Sequence, residues 1–223
     1  MNMIARELIN HMIPPLKMTD RVQKAITWME ELRINQLPVI DKGKFKGLIS
    51  EELVFKKNNL DQLVSEFELF GQKCFVNEDQ HLYEVIKLSS DYSVEVIAVV
   101  DESGDFVGVI TVQDTLAAFA QSAAIQSPGG IVVLSLNQRD YSMTEISRLV
   151  ESNDAKILGS SISLDPMDSS KLKLTIKTNK TDLSHIIATF ERFGYRIIAK
   201  FIKTDMESNE KERLDILLKY LDI

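Results

Sequence analysis

Val22, Ala25, Ile26, Met29 and Leu32 recur at the i, i+3, i+4, i+7 spacing of a single helix face, which predicts an amphipathic helix. Two short apolar runs follow, one ending at Asp41 and one from Phe45 to Ser50, with Lys42-Gly43-Lys44 between them, and this arrangement predicts a β-hairpin. The pattern then returns. Leu37-Pro-Val-Ile-Asp41 matches Ile97-Ala-Val-Val-Asp101, and Gly47-Leu-Ile-Ser50 matches Gly108-Val-Ile-Thr111, with one extra residue in the second turn at Ser103-Gly104. Upstream, Val22, Ala25 and Ile26 match Leu82, Val85 and Ile86, so the repeat covers a helix as well as the strands. Each copy reads strand, helix, strand, strand, helix, with bounds at 1–61 and 62–125. Neither copy has enough apolar surface to form a core alone, so the two are expected to pack as one domain.

The breaker cluster Gln126-Ser-Pro-Gly-Gly130 separates this region from a differently patterned one. Ile131 to Leu136 reads as a strand, and Ser142-Met-Thr-Glu145 reads as a capping box opening a helix with Ile146, Leu149 and Val150 on one face. Two strands follow, the second alternating Leu172, Leu174 and Ile176 with Lys171, Lys173, Thr175 and Lys177, as in a sheet that is wet on one side. A second helix carries Leu183, Ile186, Ile187 and Phe190, stops at Gly194, and leads into a strand from Tyr195 to Ile202. Residues 131–203 therefore have the order βαββαβ, and Leu214, Leu217, Leu218 and Leu221 predict a terminal helix over 207–221. The fold class is α+β.

Composition narrows the function. The 223 residues are 44% hydrophobic and 26% charged, an ordinary globular balance. The formal charge of −7 opposes the electrostatic term on which nucleic-acid affinity rests, so nucleic acid is not an expected partner. A lone cysteine, Cys74, allows neither an intrachain disulfide nor a thiolate metal cluster and fits a reducing cytoplasm. Arg6 and Glu7 interrupt the start where a signal peptide would be apolar, and the runs Val94–Val100 and Ile131–Leu136 fall short of the roughly 18 to 20 residues needed to span a bilayer. A soluble, cytoplasmic protein without a membrane partner is expected.

The repeated Leu37–Asp41 with Gly47–Ser50 and Ile97–Asp101 with Gly108-Val-Ile-Thr111-Val-Gln-Asp114 resembles a tandem of cystathionine-β-synthase (CBS) domains over about 120 residues. The element order of 131–203 resembles the ferredoxin-like ACT domain, and the combination is similar to acetoin-utilisation-type CBS/ACT regulatory proteins. The resemblance implies a regulatory module that binds an adenosyl ligand between its repeats. That ligand is an adenine nucleotide (AMP, ADP or ATP) or S-adenosylmethionine, with no resident cofactor. It further implies a Ser or Thr followed three residues later by an Asp that accepts the ribose hydroxyls. Thr111 and Asp114 match this pair, whereas in the first copy Ser50 matches but Leu53 stands where the Asp belongs and Glu52 is one residue off. A carboxylate suits the task because it only accepts, and vicinal hydroxyls can donate to both of its oxygens. The alternative for Thr111 is a plain helix N-cap. Adenine contacts would fall on Ile97, Ala98 and, across the cleft, Leu37 and Pro38, positions that equally suit core strands.

Phosphate binding would call for cations ahead of the apolar strand, but Glu95 and Val96 stand there in the second copy and Asn35 and Gln36 in the first. Lys42, Lys44, Lys46, Lys56 and Lys57 read more naturally as a solvated hairpin and helix end, with Arg33 or a partner subunit left to compensate. A neutral or cationic adenosyl ligand is thus an alternative to the nucleotides. The turn Asn137–Tyr141 lacks the Gly that lets a ligand carboxylate approach backbone N–H groups, which favours dimerisation over amino-acid sensing, with Arg139 and Asp140 as contacts if a ligand binds. His11, His81 and His185 are scattered, Trp28 reads as packing, and no catalytic or metal-binding spacing occurs. The expected protein is a non-enzymatic, homodimeric ligand sensor acting on a regulated protein that the sequence does not name. The competing readings are a scaffold with vestigial clefts and an amino-acid sensor acting through 131–203.

Overall fold

The first hairpin closes through Lys42 and Gly43, both at positive φ (48° and 82°), the two-residue geometry whose twist matches that of the flanking strands. The computed structural model describes residues 3–57 and 61–202. The chain divides into two compact units, Met1–Ala120 and Gln121–Ile223.

In the first unit, β1 (Leu16–Lys17), α1 (Val22–Leu32), β2 (Gln36–Asp41), β3 (Lys44–Ser50) and α2 (Glu51–Lys57) form one copy. The second copy is β4 (Phe75–Asn77), α3 (Leu82–Tyr92), β5 (Val96–Val100), β6 (Phe106–Thr111) and α4 (Val112–Ala120). Each copy is a three-stranded sheet whose middle strand pairs parallel with the first and antiparallel with the third. The correspondence extends to irregularities: α1 and α3 end on left-handed caps at Arg33 (φ 54°) and Ser93 (φ 52°), and the hairpin registers shift after Val39 and Val99. Leu16, Ile26, Leu37 and Ile49 of one copy and Leu82, Val85, Ile97 and Ile110 of the other share one apolar core.

The segment ahead of each copy crosses to the other. Asn10 N–H donates to Val109 O on β6 (2.8 Å), and Phe70 exchanges two backbone bonds with Leu48 on β3 (2.7 and 3.1 Å). This accounts for the repeated glycine. A Cβ on Gly47, which sits at φ 142°, would lie 2.8 Å from Phe70 O, and one on Gly108 would strike the Ile9 side chain. The hairpin tips also join, through Phe106 N–H to Gly43 O (2.8 Å) and Lys44 Nζ to Asp105 (2.9 Å) and Ser103 O (2.7 Å). Lys44 is therefore a structural contact between the copies.

The second unit comprises α5 (Ala123–Gln126), β7 (Ile131–Asn137), α6 (Met143–Glu151), β8 (Ile157–Asp165), β9 (Asp168–Thr178), α7 (Ser184–Arg192) and β10 (Arg196–Phe201). Its antiparallel sheet has the order β10-β7-β9-β8, the arrangement a ferredoxin-like βαββαβ chain adopts. Val132, Leu134, Leu174 and Ile176 project from one sheet face onto Ile146, Leu149, Ile186 and Phe190 of α6 and α7. The sequence bounds placed residues through 125 with the second repeat, but α5 packs on β8, where Gly159 leaves room for Ala124. Ser142 caps α6 by accepting the Glu145 N–H (3.3 Å), and the Glu145 carboxylate accepts the Tyr195 hydroxyl (3.1 Å). The helix expected over 207–221 lies outside the described residues.

Two glycines at positive φ separate crowding from backbone cost. A Cβ on Gly129 (φ 147°) would strike the Thr178 carbonyl, whereas one on Gly194 (φ 80°) would meet open space. Gly129→Ala should destabilise the chain by about 3 kcal/mol or more. Gly194→Ala should cost only the left-handed backbone penalty of about 1–2 kcal/mol. Urea unfolding of the two variants followed by circular dichroism measures the difference.

Candidate functional site

In both copies the last strand residue caps the following helix. Ser50 Oγ accepts the Leu53 N–H (3.3 Å), and Thr111 Oγ1 accepts the Asp114 N–H (3.0 Å). The second copy adds a return bond, in which Asp114 Oδ2 accepts the Thr111 N–H (2.9 Å) and the Thr111 hydroxyl (2.6 Å). The pair that matched the ribose-binding pattern is thus also a reciprocal N-cap, so the capping alternative is realised in the structure. Asn10 joins it from the crossing segment, its Nδ2 donating to Asp114 Oδ1 (3.3 Å) and Oδ2 (3.2 Å).

Around the first junction lies a cavity of about 570 Å³, within the size range of small-molecule sites. Ser50, Leu53 and Lys56 line it from the first copy and Leu69, Phe70 and Ser93 from the second. Glu51, Glu52 and Glu68 also line it, against Lys56 as the one cation among the described lining residues, and the Lys56 ammonium is paired with Glu52 (2.6 Å) and holds that carboxyl below its ordinary value. Arg33, the cation expected to compensate, sits with Glu30, Glu51 and Glu95 around a smaller cavity of about 280 Å³. Leu37, Pro38, Ile97 and Ala98 are buried in the strands, where core packing is the role the structure gives their side chains.

Sequence reasoning missed Asn10 and Phe70. They occupy equivalent places in the two crossing segments, bridging to Val109 and Leu48. The only signal was the repeat shift itself, since the contact from Asn10 to Asp114 spans 104 residues. His81 accepts the Tyr83 N–H through Nδ1 (3.2 Å) and caps α3. Trp28 packs against the core beneath the Lys24 ammonium. Among the described residues no three His, Cys, Asp or Glu side chains gather as a metal site requires, and no helix is long and apolar enough to cross a membrane.

In the second unit, Asn137, Asp140, Glu145, Lys171, Tyr195 and Arg196 line a cavity of about 390 Å³ at the end of β7. The glycine-free turn folds as a short 3-10 segment tied by Asn137 Nδ2 to Asp140 Oδ2 (2.7 Å) and by Gln138 Nε2 to Ser169 O (2.8 Å). Burial, the hydrogen bond to Glu145 and the Glu145 charge push the Tyr195 phenol up to about 12.

Residues 71–121 match the family model of the CBS domain. The chain is 36% identical over 80 residues to the magnesium transporter MgtE of Thermus thermophilus, a match covering 35% of this chain and 17% of the transporter. It is 30% identical over 95 residues to an inosine-5′-monophosphate dehydrogenase of Korarchaeum cryptofilum, covering 43% of this chain and 20% of that enzyme. Each match thus spans a fifth or less of the relative's length. Among solved structures, a CBS domain pair/ACT domain protein from Thermotoga maritima superposes with a TM-score of 0.50 at 22% identity, covering 53% of this chain and 98% of that chain. Residues 71–121 therefore match the CBS domain, and about half of the chain shares its fold with a CBS-pair protein.

The Tyr195 environment gives a pH dependence with a definite sign. Its folded value of about 12 lies above the ordinary 10.0, so the folded chain holds this proton more tightly than the unfolded one. The resulting stability is complete below pH 10 and is lost as pH rises toward 12. Ultraviolet titration of wild type against Tyr195→Phe should show one late-ionising phenol, and Glu145→Gln should bring it back toward its ordinary value.

Proposed function

We propose that the first unit is a regulatory ligand-sensing module that binds an adenosyl ligand between its two repeats and signals through rearrangement of a homodimer, without enzymatic activity of its own. The observation that carries this reading is a cavity of about 570 Å³ built jointly by the two copies, so that a bound ligand changes how one copy packs on the other. The two clefts divide the requirements of such a ligand. The open one, at Ser50, has Leu53 in place of the ribose-accepting carboxylate. The other retains that carboxylate as Asp114 beside Thr111 and is proposed as the tighter site.

Charge selects among adenosyl ligands. Glu51, Glu52 and Glu68 disfavour a polyphosphate tail in the open cleft, and Glu95, whose carbonyl accepts the Val112 N–H at the start of α4, disfavours one at the Asp114 junction. Adenosine and S-adenosylmethionine are accordingly favoured over ATP and ADP. The acidic side chains also fit the sulfonium or ammonium of S-adenosylmethionine, as opposite charges attract most where water is partly excluded.

A second reading is supported by the cavity in the other unit. Asp140 and Glu145 line it together with Lys171 and Arg196, and groups of both signs suit a zwitterionic amino acid and an ACT-like sensing role. Dimerisation is supported by exposed apolar residues on the adjacent helices α3 and α4, namely Tyr83, Ile86, Val112, Leu116 and Phe119.

Two measurements test these assignments. In a thermal-shift screen of adenosine, S-adenosylmethionine, adenine nucleotides and amino acids, a ligand at about 100 times its Kd should add roughly 2.7 kcal/mol of stability. Calorimetric titration should then show one tight site per chain. Asp114→Ala should weaken it by roughly ten- to a hundredfold through loss of a charged acceptor, with Leu53→Ala nearly neutral. Unchanged affinity in Asp114→Ala would assign the ligand to the open cleft, and no shift with any adenosyl compound would leave a scaffold. Light scattering at micromolar protein should give the mass of a dimer; a concentration-independent monomer overturns the dimer.

A further inference from the structure

The Asp114 carboxylate has about four lone-pair positions, two on each oxygen, and the described contacts are shared unevenly between them. Oδ2 accepts the Thr111 N–H (2.9 Å), the Thr111 hydroxyl (2.6 Å) and the Asn10 amide (3.2 Å), and Oδ1 accepts the same amide (3.3 Å). Thr111 alone takes both positions on Oδ2, so a ligand diol is left with Oδ1, and it is there that the Asn10 amide also donates. The two Thr111 bonds are short and belong to the helix cap, whereas the two Asn10 bonds are long and come from a segment 104 residues away.

We infer that Asn10 is a built-in competitor for the Asp114 carboxylate, a gate that an adenosyl ligand must displace to bind in the second cleft. The inference rests on the ribose-accepting role proposed above for Asp114. The amide stands in for the diol by donating to both carboxylate oxygens. Its orientation is fixed from the other end, because Asn10 Oδ1 accepts the Met12 N–H (3.0 Å) and a flipped amide would set oxygen against carboxylate. The backbone beneath is independently anchored by Asn10 N–H to Val109 O (2.8 Å) and by Ile9 seated over Gly108, so the side chain can rotate away, giving up the exposed Met12 bond, while the segment stays in place. The other cleft supplies an internal control. Its crossing segment has Phe70 at the equivalent place and Leu53 at the acceptor position, so the competing amide occurs where the carboxylate does.

The test is calorimetric titration of the full chain with adenosine. Asn10→Ala should bind roughly two- to tenfold more tightly than wild type, the effect of removing one modest net hydrogen-bond interaction from the free state. In an Asp114→Ala background Asn10→Ala should give no gain. Equal or weaker binding by Asn10→Ala, with wild type still binding adenosine, overturns the gate and leaves the ligand assignment standing. Absence of binding by both proteins overturns the two together. Should Asn10→Ala fail to fold, the wild-type chain provides the readout by nuclear magnetic resonance. The Asn10 side-chain amide protons should exchange with water faster in the adenosine complex than in the free protein, and unchanged or slower exchange in the complex overturns the gate.

Discussion

The architecture of the first unit depends on one constraint, the close approach of each copy's leading segment to the last strand of the other. At Leu48 and Val109 that approach is a backbone hydrogen bond, and beside each lies a glycine whose missing side chain makes the approach sterically possible. Neither sheet is covered by its own segment, so the copies are completed by exchange. A shared core follows, because Leu16 and Ile49 of one copy and Leu82 and Ile110 of the other are then drawn into contact with the same interior. The open cleft follows as well, since Phe70 of a crossing segment and the Ser50-to-Leu53 junction line it together.

A duplicated scaffold need not give duplicated sites. The backbone repeats to the level of the left-handed caps at Arg33 and Ser93 and the register shifts after Val39 and Val99. Two side-chain positions per cleft break the equivalence. Phe70 with Leu53 leaves an open cavity bordered by carboxylates, whereas Asn10 with Asp114 makes a network in which the acceptor is occupied. Accessibility and hydrogen-bonding capacity are thus assigned to different clefts. The lysines near the first junction do not reverse its acidic character, because Lys44 is committed to the hairpin tips and Lys56 to Glu52.

In the second unit, the polar residue that the sequence assigns to a helix cap serves the tertiary structure. The Glu145 carboxylate reaches the Tyr195 hydroxyl at the start of β10, and the Phe190 ring packs edge-on against the same tyrosine at 5.6 Å. This fixes α6 and α7 against the sheet and forms one wall of the cavity at the end of β7. Strand order brings Lys171 to this cavity, since Lys171 of β9 lies beside Asn137 of β7.

What the sequence determined by itself is whatever depends on local spacing or on self-comparison. Helix faces such as Val22, Ala25, Ile26 and Met29, a hairpin turn at Lys42-Gly43-Lys44 and the alternation from Lys171 to Lys177 follow from 3.6- and 2-residue periods and from glycine's access to positive φ, while its closure through two residues was shown by the register. The 60-residue shift between Leu37 and Ile97 established the duplication, and the family resemblance singled out Thr111 with Asp114, whose contact is local because a helix N-terminus brings residues three apart together. Leu37, Pro38, Ile97 and Ala98 were equally legible as core, and periodicity alone could not separate a buried strand residue from one facing a ligand. Only the tertiary structure decided which segment meets Asp114. Asn10 is 104 residues away, and neither composition nor period encodes a contact made by chain crossing. The same reason hid the open cleft, whose walls come from residues 35–56 and 68–93 and exist only once one copy's segment has been laid across the other's strand.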